Sequence, residues 1–163
     1  MAGDRDGKRK PQPSAYQRAL GLLVRREQSR KELSRKLKAR GIEDEETLTT
    51  LDVLARQDFQ NDARFAEALA RTRAAAGYGP VRIRAELGSH GLGRDSIEAA
   101  LVTCEIDWAE SARRLSERRF GRQDLSDPAV RRKAVDFLLR RGFEQKTAYS
   151  LIRGRRTDGD ADD

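Results

Sequence analysis

Five cations carry the clearest chemistry in this sequence: Arg113, Arg114, Arg132, Lys133 and Arg140. Each is a fixed positive charge at neutral pH, and what such groups do is capture anions. A guanidinium matches phosphate oxygens bidentately, so a cluster of them points to nucleic acid. All five fall in residues 107–156, which carry 14 basic against 7 acidic residues, a balance of +7. The rest of the chain cancels: residues 1–13 and 14–61 carry +2 each, 62–106 carry 0 and 157–163 carry −4. Arg82 and Arg84, which flank Ile83, are a second candidate pair. Two readings of these cations stay open, a binding surface for a polyanion and a solvated face that only keeps the chain in solution.

Other chemistries find little support. His90 is the only histidine and sits beside a helix end, where an imidazole meets free carbonyls. Cys104 is the only cysteine, so neither a disulfide framework nor a zinc cluster can be assembled around it. The sequence contains neither a G-x-S-x-G elbow nor a G-x-x-x-x-G-K-[ST] loop. Gly77-Tyr78-Gly79 looks like a phosphate cradle, but it leads from one helix to another with no strand before it. Glu45-Glu46 suits the positive end of a helix dipole, and Phe65 and Trp108 read as core. No catalytic, cofactor or metal site is therefore expected. The sequence has no apolar run near the roughly 18 residues that would span a membrane. The charged N-terminus carries no hydrophobic signal segment, so a cytoplasmic location is expected.

The cations must be held by helices, and one helix-stop motif recurs. In Leu87-Gly88-Ser89-His90-Gly91-Leu92, Gly91 stands where a left-handed residue ends a helix, and Leu92 packs back on Leu87. Leu37 to Gly41-Ile42 and Leu138 to Gly142-Phe143 repeat the pattern. The three glycines lie 50 and 51 residues apart, and Leu51, Leu101 and Ile152 each follow their glycine by ten. Such spacing predicts three tandem units of three helices, each with a core too thin to stand far from its neighbours. A positive φ is expected at Gly41, Gly91 and Gly142.

The chain then divides as follows. Residues 1–13 read as a disordered basic tail, 14–58 as a first repeat, 59–106 as a second, 107–156 as a third and 157–163 as a disordered acidic tail. Ser14-Ala15-Tyr16-Gln17 and Ser29-Arg30-Lys31-Glu32 are capping boxes for the first two helices. Leu48, Leu51 and Leu54 line the third, which starts near Asp44. Phe65, Ala66 and Leu69 line the fourth, Pro80 opens the fifth, and Asp95 with Glu98 is expected to cap the sixth. Asp107 caps the seventh, whose inner face is Trp108, Ala112 and Leu115, so Arg113 and Arg114 point outward. Asp127-Pro128 opens the eighth. Its inner face is Val130, Ala134, Phe137 and Leu138, which leaves Arg132, Lys133 and Arg140 outward. The ninth runs from Gln145 to Arg153. No segment alternates with period two over any length, so the fold class is all-α.

Asn61 to Ala66, Gly77 to Leu87 with Gly91, Ser29 to Leu33 with Gly41, and Phe137 to Phe143 together resemble the RecX family, regulators of the bacterial RecA recombinase. Asn61-Asp62-Ala63-Arg64-Phe65-Ala66 is similar to the family's N-D-x-R-F-A segment. Gly77-Tyr78-Gly79-Pro80-Val81-Arg82-Ile83-Arg84-Ala85-Glu86-Leu87, followed by Gly91, is similar to its G-x-G-x-x-R-I-x-x-E-L…G pattern. Ser29 to Leu33 with Leu37 and Gly41 resembles its first repeat, and Phe137 to Phe143 its last. The third unit departs most, in the long connection from Phe120 to Asp127. The resemblance implies an elongated, curved array of three three-helix repeats. It implies binding to RecA filaments on DNA and inhibition of recombinase activity, strand exchange and ATP hydrolysis in repair and recombination. The partners it implies are the filament and single- and double-stranded DNA, with no membrane and no cofactor, for a chain acting as a monomer. A helical array that binds nucleic acid without a recombinase target is the alternative.

Overall fold

A computed structural model describes residues 11–159, and these fold into nine helices with no strand among them. They are α1 (Ala15–Leu23), α2 (Arg30–Lys38), α3 (Asp44–Arg56), α4 (Asp62–Ala75), α5 (Pro80–Ser89), α6 (Arg94–Thr103), α7 (Trp108–Phe120), α8 (Pro128–Arg140) and α9 (Gln145–Gly159). The expectations for residues 1–10 and 160–163 lie outside the described residues. One compact unit ends at Asn61 and a second begins at Asp62.

The first unit contains α1–α3. Ser14 accepts from the Gln17 amide while Gln17 returns a bond to the Ser14 amide, so the first capping box is complete. Ser29 accepts from the Glu32 amide at 3.0 Å. The Glu32 carboxylate meets Arg26 and Lys36. Burial of that carboxylate works against its charge, yet the two cations prevail and hold it below the usual range. Ala19, Leu33, Leu37, Leu51 and Leu54 form the core. Leu48 is not part of it: the side chain is 53% exposed, and Thr47 and Thr50 are buried instead. The stripe at helical spacing is therefore Thr47, Thr50, Leu51 and Leu54, and counting only the leucines misplaces it.

The second unit contains two further cores. Phe65, Ala66, Ala70, Ile83, Leu87, Leu92, Ile97, Ala100 and Leu101 pack together from α4–α6. Ala112, Leu115, Phe120, Leu125, Ala134, Val135, Leu138, Phe143, Ala148 and Ile152 pack together from α7–α9. Trp108 is half-buried against both. Asp107 and Asp127 cap α7 and α8 through their side chains. The α6 cap differs from expectation. Gly93 holds the N-cap position without a side-chain bond, Asp95 lies inside the first turn, and Glu98 is taken by Arg84. Helix α9 also continues past Arg153 to Gly159. Gly154 is followed by Arg155 rather than by an apolar residue, so the hydrophobic half of a stop is missing there.

The stops themselves share one geometry. Gly41, Gly91 and Gly142 have φ of +80°, +83° and +88°. In each, the following amide reaches back to the leucine carbonyl: Ile42 to Leu37, Leu92 to Leu87 and Phe143 to Leu138, at 3.2, 3.4 and 3.1 Å. Gly77 makes a fourth stop at φ +84°, with the Tyr78 amide on the Arg73 carbonyl. Asp58 makes another without glycine, at φ 58°, with Phe59 donating to Leu54. Aspartate tolerates the left-handed region better than most residues, and no glycine search finds it.

Candidate functional site

The five cations of the third repeat all reach solvent, but they are not equivalent. On α7, Arg113 donates to Glu110 at 2.7 Å and to Glu117 at 2.6 Å, and Arg114 donates to Glu110 at 2.6 Å. The hydrogen bonds from Arg113 and then Arg114 push the Glu110 carboxyl down to about 2. Two arginines and two glutamates thus cancel, and little net field is left at this spot. On α8, Arg132, Lys133 and Arg140 are exposed and form no ion pair among the described residues. Lys133 and Arg140 are two turns apart on one stripe, and Arg132 lies about 100° round the helix from Lys133. Asp136 lies one turn from both Arg132 and Arg140 but forms no ion pair among the described residues, so this face keeps a net positive charge.

The second pair lies elsewhere. The Arg82 guanidinium sits over the Tyr78 ring, 4.3 Å from its centroid, and Arg141 approaches the same ring at 5.1 Å. Arg82 is therefore brought to the end of α8. Arg84 donates to Glu98 at 2.7 Å and to Glu144 at 3.1 Å, joining α5, α6 and the start of α9. The Glu98 bond, opposed by partial burial and helped by Glu144, raises the Arg84 pKa above its usual value. Its charge is already committed within the protein.

These contacts belong to a built joint between the second and third repeats. The amides of Gly79 and Val81, at the start of α5, donate to the carbonyls of Arg141 and Gly142, at the end of α8, at 2.8 and 2.9 Å. Each helix end supplies what the other lacks, and the facing dipoles attract. A Cβ on Gly79 would lie 2.4 Å from the Gly142 backbone, and one on Gly142 would lie 2.4 Å from the Arg82 Cβ. The Gly77-Tyr78-Gly79 segment cannot cradle phosphate, because its amides are spent on Ala74, Arg73 and Arg141 carbonyls.

Further cations, beyond the seven candidates, share the third repeat's surface. Arg118, Arg119, Arg122, Lys146 and Arg153 are exposed without an ion pair among the described residues. Their signal was available in the sequence, since Arg122 lies in the connection before α8 and the others lie off the apolar stripes of the +7 segment. Cys104 is half-buried, its Sγ 3.5 Å from the Glu67 carbonyl, and burial raises its pKa, away from reactive thiolate. The His90 ring packs 4.7 Å from Phe65. Among the described residues, no group of three or more His, Cys, Asp and Glu side chains could hold a metal ion, and no helix is long and apolar enough to cross a membrane.

Comparison with known proteins finds three successive three-helix matches. Models of the first, second and third three-helix domains of RecX match residues 15–54, 61–101 and 105–152. The regulatory protein RecX of Xanthomonas axonopodis pv. citri (strain 306) is 56% identical over 147 residues, covering 90% of this chain and 91% of that protein. The protein of the same name from Stenotrophomonas maltophilia (strain R551-3) is 54% identical over 154 residues, covering 94% and 93%. The crystal structure of RecX from Lactobacillus salivarius superposes with a TM-score of 0.73 at 25% identity, covering 86% of this chain and 93% of that one. A second crystal structure, of a regulatory protein RecX, gives a TM-score of 0.72 at 27% identity, over 86% and 70%. An all-α tandem repeat, the family's segments in each unit and relatives matched over most of their length lead to one conclusion: this chain belongs to the RecX family of regulatory proteins.

Proposed function

We propose that this chain binds the filament formed by the RecA recombinase on DNA and restrains strand exchange and ATP hydrolysis there, with no catalytic activity of its own. Family membership supports the target. The observation that carries the contact is the α8 face, where Arg132, Lys133 and Arg140 stay uncancelled while the α7 arginines are neutralised by Glu110 and Glu117. An uncancelled cationic face on a rigid helix suits a polyanionic surface such as DNA within a filament. In this reading the chain works as a monomer in the cytoplasm, and its contacts with single- and double-stranded DNA are made chiefly on the filament.

Co-sedimentation tests this. The chain should pellet with recombinase filaments on single-stranded DNA at salt concentrations where it leaves naked DNA of the same length in solution. Equal capture by naked DNA, with no gain from recombinase, would replace this reading with a plain nucleic-acid-binding array. ATP hydrolysis by the repurified chain without recombinase would contradict the non-catalytic role.

A further inference from the structure

A cleft of about 500 Å³ opens between α8 and α9, lined by Pro128, Arg131, Arg132, Asp136, Tyr149 and Arg153 among others. Tyr149 is 54% exposed, although tyrosine commonly buries its ring. Arg153 follows it by one helical turn on α9, and Arg132 faces the cleft from α8. Neither arginine forms an ion pair among the described residues. Arg131 is spent otherwise. It donates to the Ser126 carbonyl at 2.9 Å and so ties the rim to the connection before α8. Asp136 is the one carboxylate lining the cleft among the described residues.

We infer that this cleft binds a single strand of nucleic acid, with an unpaired base on the Tyr149 ring and the flanking phosphates on Arg132 and Arg153. The alternation decides the class of ligand. An aromatic face set among guanidinium groups matches a chain that alternates flat bases with phosphates. A duplex keeps its base faces stacked and offers Tyr149 nothing. An acidic peptide would use the arginines but leave the ring idle. The inference deepens the filament reading, on which it rests for its biological setting, since a recombinase filament holds such a strand.

The test uses the full chain and a fluorescent oligo(dT) probe, read by anisotropy at several salt concentrations. Tyr149→Ala should weaken binding about tenfold, and Tyr149→Phe should restore it to within about twofold. Arg132→Gln and Arg153→Gln should each flatten the slope of log affinity against log salt by about 0.7. Asp136→Asn should tighten binding, because it removes the opposing charge. With 5-iododeoxyuridine in the probe, ultraviolet crosslinking followed by mass spectrometry should map to Tyr149. Circular dichroism checks that each variant is folded; the side chains are exposed, so folding should persist. A folded Tyr149→Ala variant with the parent's affinity at every salt would overturn the inference. So would a parent that ignores oligo(dT), or that binds polyglutamate with the same dependence on Tyr149. Filament sedimentation separates the two readings. If oligo(dT) binding depends on Tyr149 but the parent does not enrich on recombinase filaments, the cleft stands and the filament target falls. If filaments enrich the parent but Tyr149→Ala leaves oligo(dT) binding intact, the reverse holds.

Discussion

The Val81 amide donates to the Gly142 carbonyl at 2.9 Å, so the glycine that stops α8 also seats the first turn of α5. Gly142 therefore does two jobs, while Gly41 does one. Both have positive φ, but a Cβ on Gly41 meets nothing within 4 Å among the described residues, and one on Gly142 meets the Arg82 backbone nitrogen at 2.7 Å. Gly41→Ala should cost about 1 kcal/mol, the penalty of the left-handed geometry. Gly142→Ala should cost distinctly more, and Gly91→Ala should at least match Gly41→Ala. Thermal unfolding followed by circular dichroism ranks the three; equal melting temperatures for the Gly41 and Gly142 variants would contradict the joint.

Thr47 offers a gain. Its hydroxyl is buried and meets no hydrogen-bond partner among the described residues. Thr47→Val keeps the branched shape and removes that unpaired group, so the first unit should gain about 1 kcal/mol. A lower urea midpoint for the variant would count against this account of the α3 stripe.

Most of the fold was legible in the sequence, because its punctuation is local. Ser14, Asp107, Asp127, Pro80 and the stop glycines each act within a turn of the helix they bound. What escaped was set by neighbours distant in sequence. Glu98 looks like the partner of an Asp95 cap until α5 brings Arg84 against it. Leu48 outranks Thr47 in hydropathy, yet helix phase alone decides which faces the core. The candidate site was half legible for the same reason. Outward direction could be read from the helical wheel, and all five third-repeat cations are exposed. Cancellation of Arg113 and Arg114 was encoded too, in Glu110 and Glu117 at helical spacings of three and four, a signal that outward direction alone does not weigh.

Arg84 should act on the joint before it acts on any ligand. Its guanidinium is shared by Glu98 and Glu144, on a side chain 37% exposed. Solvent screening keeps each pair below about 1 kcal/mol. Arg84→Gln should therefore lower the melting temperature slightly and leave the salt slope of filament binding unchanged. A flattened slope with unchanged stability would make Arg84 a phosphate contact instead.

Acid should weaken the second unit in a defined window. Arg73 holds Glu86 below the usual carboxylate range, Arg84 does the same to Glu98, and Arg113 with Arg114 takes Glu110 to about 2. A carboxyl depressed by folding contributes above its unfolded value, here 4.5, and loses that contribution as pH falls toward the folded value. Urea midpoints should thus hold from pH 7 to about 5 and decline below 4.5. Arg84→Gln should make the decline shallower, because Glu98 then titrates closer to its unfolded value. Midpoints unchanged between pH 5 and pH 3 would contradict these pairings.

The central claim is that the uncancelled face of α8 meets the recombinase filament. The direct measurement is filament binding across several salt concentrations for Arg132→Gln/Lys133→Gln/Arg140→Gln, with Arg113→Gln/Arg114→Gln and the five-site combination alongside. Removing one cation from a phosphate flattens the salt slope by about one unit. The α8 variant should forfeit most of the slope and most of the inhibition of strand exchange. The α7 pair, already neutralised by Glu110 and Glu117, should change the slope little. A folded five-site variant that binds filaments and inhibits the recombinase like the parent at every salt concentration would contradict the account.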